Sequence, residues 1–393
     1  MKCFRIPSSK SISNRLLIIR HLADANPCLI ENLSEADDTI IMQELIESIE
    51  NKDGRVLFAK NAGTVSRFII SLASVTEGSY IIDGEQRLRE RPVSPLIESL
   101  RQLGGNIEYL ETKGRLPIRV IGNQDIMGGE VIVDTSLSSQ FLTSLLLVSP
   151  SFQSPTRFRV TGDRMSFPYI NMTIELMREY GINIEIKEDI IKVIPGRYRF
   201  KKTRVEADWS SASFAYLYSY ITNKELFVPD LNKSILQGDS IIKEFGREFG
   251  IETIFNENGG ILRPSLDSPI AKNITLDMAN NPDLFLPLVV LSAISPHKVS
   301  FQNLSTLVYK ESNRLEASII NMKALGIKFL YKNNELVVYG NNKLNPNSKI
   351  ISFNDHRVAM SFGQLALIDK SISLDNPNCV DKSFPRFWEN INT

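Results

Sequence analysis

Six short polar turns, each running straight into an apolar stretch, constrain this chain more than any other feature. They are Ser9-Lys-Ser-Ile-Ser-Asn-Arg15, Asn61-Ala-Gly-Thr-Val-Ser-Arg67, Ser138-Ser-Gln-Phe-Leu-Thr143, Asp208-Trp-Ser-Ser-Ala-Ser213, Asn281-Pro-Asp-Leu-Phe-Leu286 and Asn354-Asp-His-Arg-Val-Ala359. From Ser138 to Ser210, from Ser210 to Pro282 and from Pro282 to Asn354 the interval is 72 residues each time. Such a fixed interval marks an internal structural repeat. The free N–H groups where a helix opens carry partial positive charge, which suits a phosphate or a carboxylate.

Between these turns one order recurs: apolar helix, strand, amphipathic second helix ending at glycine, and paired strands. The second helices end at Gly104-Gly105, Gly181, Gly250 and Gly326, where a left-handed residue can stop a helix. In the first unit a helix over 10–23 precedes a strand over 28–33 and a helix over 40–49, which Asp37-Asp-Thr39 is placed to cap. Further strands are expected over 55–59, 79–83, 107–110, 118–121 and 130–133. The first unit is short, with 51 residues from Ser11 to Ala62, so a hairpin is expected to be missing there.

At 393 residues the chain exceeds one compact core. Three units lie on each side of 205–209, which places one domain over 10–207 and the other over 1–9 with 208–393. The first residues then pair with the second half. Alternating helices and strands with repeated hairpins indicate an α/β (α+β) class with mixed sheets.

Forty-five basic residues balance 45 acidic ones, so no overall field favours nucleic acid or a membrane. An anion site therefore has to come from local cations. Cys3, Cys28 and Cys379 form no CxxC and fit a reduced cytoplasmic protein. His21, His297 and His356 are scattered, which argues against a zinc site. The N-terminus lacks a signal-peptide core, and the longest apolar run, around 284–294, is too short to span a bilayer. The chain carries no GxxxxGK[ST], GxGxxG, HExxH or GxSxG, which disfavours a P-loop kinase, a dinucleotide enzyme, a zinc hydrolase and a serine hydrolase.

Cations gather near the openings: Lys10, Arg15, Arg67, Arg91, Lys310, Arg314, Arg357 and Lys382. A lone Lys or Arg is ordinarily a solvated surface charge. Here they recur beside glycine and serine turns, where packing has no use for a long polar side chain. Arginine forks bind carboxylate and phosphate, and the hydroxyls of Ser138, Ser139 and Ser166 could complete the shell. The implied ligand carries several negative charges. Asp283 and Glu311 sit beside such turns and read equally as helix-start acids or as catalytic ones. His356, between Asp355 and Arg357, stays open between a structural and a site role.

Seven motifs in order, Ser9-Lys-Ser-Ile-Ser-Asn-Arg15, Asn61-Ala-Gly-Thr-x-x-Arg67, Arg89-Glu-Arg-Pro92, Ser138-Ser-Gln140, Lys310-Glu-x-x-Arg314, Asn354-Asp-His-Arg357 and Asp381-Lys-Ser-Phe-Pro385, closely resemble those of the 5-enolpyruvylshikimate-3-phosphate synthases. The resemblance spans nearly the whole chain. It implies two similar domains, each of three βαβαββ units, facing each other across a cleft. Cations and helix N-termini in both halves would repel without a polyanion between them, so closure on the substrate is expected, about a hinge near 205–209 and the N-terminal crossing. It implies transfer of the enolpyruvyl group of phosphoenolpyruvate to the 5-hydroxyl of shikimate 3-phosphate, in the shikimate pathway that glyphosate blocks. Lys10, Ser11, Arg15, Ser138, Ser139, Ser166, Asp283 and Lys310 would hold shikimate 3-phosphate. Lys10, Asn61, Gly63, Arg91, Gln140, Arg314, Arg357 and Lys382 would surround phosphoenolpyruvate, with the backbone at Gly63 close to the ligand. Asp283 would take the hydroxyl proton, Glu311 would help protonate the methylene, and Lys10 would assist catalysis. A cytoplasmic monomer without metal or cofactor, and without nucleic-acid or membrane partners, is implied.

Departures from the pattern are Ser8, where glycine is usual, the short first unit, and Thr306 in place of an asparagine. A sister transferase acting on a UDP-sugar typically carries a reactive cysteine in the loop that corresponds to 84–92, and this loop has none. A catalytically dead anion-binding protein is the other rival, and the retained acids and cations oppose it.

Overall fold

The computed structural model describes residues 1–51, 56–123, 125–162, 166–234, 236–265 and 271–392. The chain forms two compact units: Lys10–Val205, and Met1–Ser9 with Glu206–Thr393. The first residues join the second half through Lys2–Cys3, which pairs in parallel with Leu226–Pro229. The strand Thr203–Arg204 pairs in parallel with Ile30–Glu31.

One sheet pattern recurs within each unit. In the Lys10–Val205 unit, Val56–Phe58 pairs in parallel with Gly78–Asp83, which runs antiparallel to Ile118–Gly122, with Asn106–Tyr109 at the far edge. Gly129–Asp134, Thr156–Thr161, Ile190–Val193 and Ile184–Lys187 repeat that order. In the other unit, Lys2–Cys3, Leu226–Pro229, Gly259–Pro264 and Ile251–Asn256 follow it, as do Asn273–Asp277, Lys298–Gln302, Glu335–Tyr339 and Phe329–Lys332. Among the described residues the first repeat lacks its hairpin, as expected. The last is shortened in the same way, to Lys349–Ile350 beside Ser373–Leu374. The mixed α/β class read from the sequence is the class observed. Of the strand expected over 55–59, Arg55 lies outside the described residues.

Three inner helices fill the core of each unit. In one they are Lys10–Leu22, Gly63–Val75 and Gln140–Val148, which contact one another. In the other they are Trp209–Thr222, Phe285–Ile294 and His356–Phe362, again in mutual contact. They are buried on nearly every face, and Phe285-Leu-Pro-Leu-Val-Val-Leu-Ser-Ala-Ile294 is almost wholly apolar, a helix stable only when surrounded. The outer helices, such as Asp37–Glu50 and Arg314–Ala324, bury one stripe and expose the other. The six polar turns are therefore the starts of six buried helices.

Two local expectations need correction. The Asp37–Glu50 helix takes Ala36 as its N-cap, with no side-chain cap bond, so Asp37-Asp-Thr39 does not cap it. The loop 84–92 contains one helical turn, Gln86–Arg89. The C-terminal helix Phe387–Asn392 clamps the N-terminal strand. Asn390 Oδ1 accepts from the Arg5 N–H at 2.8 Å, and its Nδ2 donates to the Arg5 carbonyl at 3.0 Å.

His297 is fully buried, packs edge-on against Phe249, and accepts the Lys272 N–H at Nδ1 at 3.2 Å. Burial, aided by Lys272, holds its proton affinity below the ordinary histidine value of 6.5. Below that pH the unfolded chain takes up a proton that the folded protein resists, so stability is lost as the solution is acidified through 6.5. His297→Gln cannot take up that proton. Its melting temperature should fall less between pH 7.5 and pH 5.5 than that of the native chain, measured side by side. Equal falls would remove His297 from the pH response.

Candidate active site

In the unit that includes Glu206–Thr393, site residues converge on buried Asp355. Asp355 is the N-cap of the His356–Phe362 helix and accepts the Arg357 N–H at 2.9 Å. Its Oδ2 also accepts from Arg314 Nε at 2.9 Å and Ser312 Oγ at 3.0 Å, while Arg314 Nη2 reaches Oδ1 at 3.4 Å. Burial, the largest influence, would raise this carboxyl, but the charge and hydrogen bond of Arg314 together with His356 hold it below the usual range. The same pairing raises Arg314 above its ordinary value despite burial. Arg314 therefore stays charged at the start of the Arg314–Ala324 helix.

Asp283 stands in a first turn whose N-cap position is Asn281. It lies in the turn Pro282–Leu284, and its carboxylate faces cations: Arg314 Nη1 at 2.7 Å, Arg357 Nη2 at 3.6 Å and Lys310 Nζ at 3.7 Å. Glu311 lies before the Arg314–Ala324 helix, which Asn313 caps. Glu311 stands between His356 Nδ1 at 2.8 Å and Lys382 Nζ at 3.4 Å. Burial lowers the proton affinity of His356, so the ring is neutral near pH 7. A carboxylate only accepts, so the ring proton belongs on Nδ1 and points at Glu311. His356 Nε2 is buried and has no hydrogen-bond partner.

Glu311, Asp355 and His356 bring potential metal-ligand atoms within 4.8 Å of one another. Arg314 and Lys382 already neutralise the two carboxylates, so the charge there is balanced without a metal. Of this cluster the sequence singled out Asp283, Lys310, Glu311, Arg314, His356, Arg357 and Lys382, but named Asp355 only as a neighbour of His356 and gave Ser312 no role. It did not single out Asp239, which is buried, accepts from Ser210 Oγ and from Asn281 Nδ2 (3.0 Å), and is pushed up to about 6 by burial and the charge of Asp283.

The Lys10–Val205 unit gathers a different set. Lys10 opens the Lys10–Leu22 helix and pairs with Asp38 at 2.9 Å, an acid the sequence suggested only as a cap. Arg15 turns inward: Nε donates to Thr173 Oγ1 at 2.8 Å, Nη1 to the Ser11 carbonyl at 2.7 Å and Nη2 to the Tyr169 carbonyl at 3.1 Å. Burial lowers Arg15 to about 10. Gln140 Nε2 donates to Thr64 Oγ1 at 2.9 Å and so ties two helix openings together. Ser138 Oγ accepts the Gln140 N–H at 3.2 Å, and Ser139 precedes that helix without a side-chain cap bond. Ser166, left-handed at φ 58°, precedes the Phe167–Glu179 helix.

Asn61 lies in the turn before the Gly63–Val75 helix, whose N-cap Ala62 supplies no side-chain bond. Arg67 is buried one turn in. Its Nη1 donates to the Gly63 carbonyl at 3.0 Å and its Nη2 to the Pro92 carbonyl at 3.1 Å. Burial and the like charge of Arg91 hold Arg67 well below its ordinary value. A Cβ at Gly63 would lie 2.1 Å from Arg91 Nη1. Glycine lets the Arg91 guanidinium rest on the helix start. Two arginines beside an uncapped helix N-terminus make a local field that an anion would relieve.

Paired α/β units whose buried helix starts carry arginines, lysines and two carboxylates define an enzyme class that works on small polyanions. A family profile described as EPSP synthase (3-phosphoshikimate 1-carboxyvinyltransferase) matches residues 39–391. The chain is 32% identical to a 3-phosphoshikimate 1-carboxyvinyltransferase of Bacteroides fragilis, over 98% of this chain and 93% of the relative. It is 31% identical to one from Buchnera aphidicola, with the same coverage. An EPSP synthase structure from Acinetobacter baumannii shares the fold with a TM-score of 0.77 at 20% identity, covering 99% of this chain and 94% of that one. The chain belongs to the EPSP synthase family.

Gly63→Ala should drive the Arg91 guanidinium off the helix start. Charge-assisted hydrogen bonds contribute about 1.5–3 kcal/mol, so affinity for inorganic phosphate, read by calorimetry, should fall at least roughly tenfold. Adding Arg91→Ala should then cost little more. Unchanged phosphate binding in Gly63→Ala would break the link between that glycine and Arg91.

Proposed function

We propose that the chain transfers the enolpyruvyl group of phosphoenolpyruvate to the 5-hydroxyl of shikimate 3-phosphate and releases phosphate. Family membership supports this reading, and one feature of the site carries the chemistry. Two carboxylates occupy contrasting surroundings, Asp283 among Arg314, Arg357 and Lys310, and Glu311 between neutral His356 and Lys382. Paired acids in contrasting surroundings suit opposite proton tasks.

Asp283 takes the proton of the 5-hydroxyl as its oxygen attacks C2 of phosphoenolpyruvate. The methylene carbon takes its proton on the Glu311 side from the Lys382 ammonium, which the Glu311 carboxylate holds at 3.4 Å. Loss of phosphate and of one methyl proton from the adduct restores the double bond. Arg314, Arg357 and Lys382, together with Asn61, Gly63, Arg91, Gln140 and Lys10, are assigned to phosphoenolpyruvate. Lys10, Ser11, Ser138, Ser139, Ser166, Asp283 and Lys310 are assigned to shikimate 3-phosphate, with Arg15 fixing Ser11 through its carbonyl. The arginines offset repulsion between two polyanions and hold them for reaction. Three free cysteines fit a reducing compartment, and a cytoplasmic monomer is our reading. No helix among the described residues is long and apolar enough to cross a membrane.

Phosphate release from phosphoenolpyruvate should require shikimate 3-phosphate. Asp283→Ala should lower kcat by about 10²–10⁴-fold, the usual contribution of a general base, with an unchanged circular dichroism spectrum. Phosphate release that depends instead on a UDP-sugar would move the chain to the sister reaction. Normal turnover per folded Asp283→Ala molecule would deny Asp283 its role.

A further inference from the structure

Asp239 has no part in the reaction as drawn, yet it is joined to the segment that carries the base. It lies in the turn Gly238–Ile241 and is only 4% exposed. Ser210 Oγ, in the first turn of the Trp209–Thr222 helix, donates to its Oδ2. Asn281 Nδ2 donates to its Oδ1 at 3.0 Å, and Asn281 precedes Asp283 by two residues. Asp239 thus ties the start of a buried helix to the turn that presents Asp283.

Its charge bears on Asp283 as well. Arg314, Arg357 and Lys310 all face Asp283, and three cations reduce the proton affinity of a carboxylate. A second carboxylate nearby opposes them. The interaction is mutual, and it shows on Asp239, which burial and Asp283 together push up to about 6 while Arg357 pulls it down. Other charged groups lie around this turn. Asp208 caps the Trp209–Thr222 helix by accepting the Ser211 N–H at 2.6 Å, and on the adjoining helix, which also carries Lys243, Glu244 and Arg247 pair at 2.9 Å.

We propose that Asp239 is a positioning residue for Asp283: through Asn281 it fixes where that carboxylate stands, and through its negative charge it keeps it basic among the cations. The inference rests on Asp283 being the base. Protonating Asp239 removes the second effect, so turnover falls as pH drops through about 6.

The test measures kcat and KM from pH 5 to pH 8.5 for the native enzyme, Asp239→Asn, Asn281→Ala and Asp283→Asn, each checked by thermal unfolding. The native kcat should show an acid limb near 6. Asp239→Asn should lose up to about tenfold in kcat at pH 7.5, the equivalent of one pKa unit of basicity. Its KM for phosphoenolpyruvate should not rise, and its acid limb near 6 should flatten. Asn281→Ala should lower kcat while keeping that limb, because the charge remains. A purely structural Asp239 would lower the melting temperature and active fraction but leave the limb in place, and that result overturns the proposal. So does a native profile that stays flat down to pH 5, which decides the matter even where Asp239→Asn does not fold. An inactive Asp283→Asn beside a native-like Asp239→Asn sinks this inference alone. Native turnover in Asp283→Asn sinks the assignment of the base, and this inference with it.

Discussion

Asp355 is fully buried, and much of the site follows from neutralising it. A lone buried carboxylate is costly, whereas one that meets a guanidinium, a hydroxyl and a helix N–H is well accommodated. Asp355 meets all three, from Arg314, Ser312 and Arg357. Those partners come from the segments that carry the remaining site groups. Arg314 presents its free edge to Asp283, and the helix that Asp355 caps carries His356, which holds Glu311. One ion pair therefore sets the positions of both carboxylates assigned to proton transfer.

The Lys10–Val205 unit handles its charge differently. Arg15 and Arg67 donate to carbonyls and hydroxyls, and burial lowers the proton affinity of both. Arg91 adds a second guanidinium beside Arg67. The openings differ as well. Asp208 and Asp355 cap their own helices, while the Gly63–Val75 helix starts without a side-chain cap. One unit brings its own counter-charges and the other keeps positive potential at a helix start.

Much of this was legible in the sequence because buried helices leave an unmistakable mark. Apolar stretches behind polar turns located all six inner helices, and the 72-residue interval located the repeat. Glycines at positive φ, such as Gly181 and Gly326, ended the second helices where expected. The cluster around Asp283, Glu311, Arg314 and Arg357 was legible as a set of residues but not as a network. Whether an acid at a helix start caps or reaches across depends on a partner about 30 or more residues away, as with Asp283 and Arg314. Asp38 and Asp239 escaped for the same reason, since local spacing gives an acid no visible partner. The proximity of Gly63 to Arg91 was not legible, because it arises only when the 84–92 segment folds back.

The most direct measurement is a double-mutant cycle on the Arg314–Asp355 pair, read by denaturant unfolding. Removing one partner of a buried ion pair strands the other and costs about 3–5 kcal/mol. Arg314→Met and Asp355→Asn should each show a loss of that order, and the double variant should lose no more than either alone. Additive losses would mean that the two side chains act independently, and the account of a site organised by that pair would be contradicted.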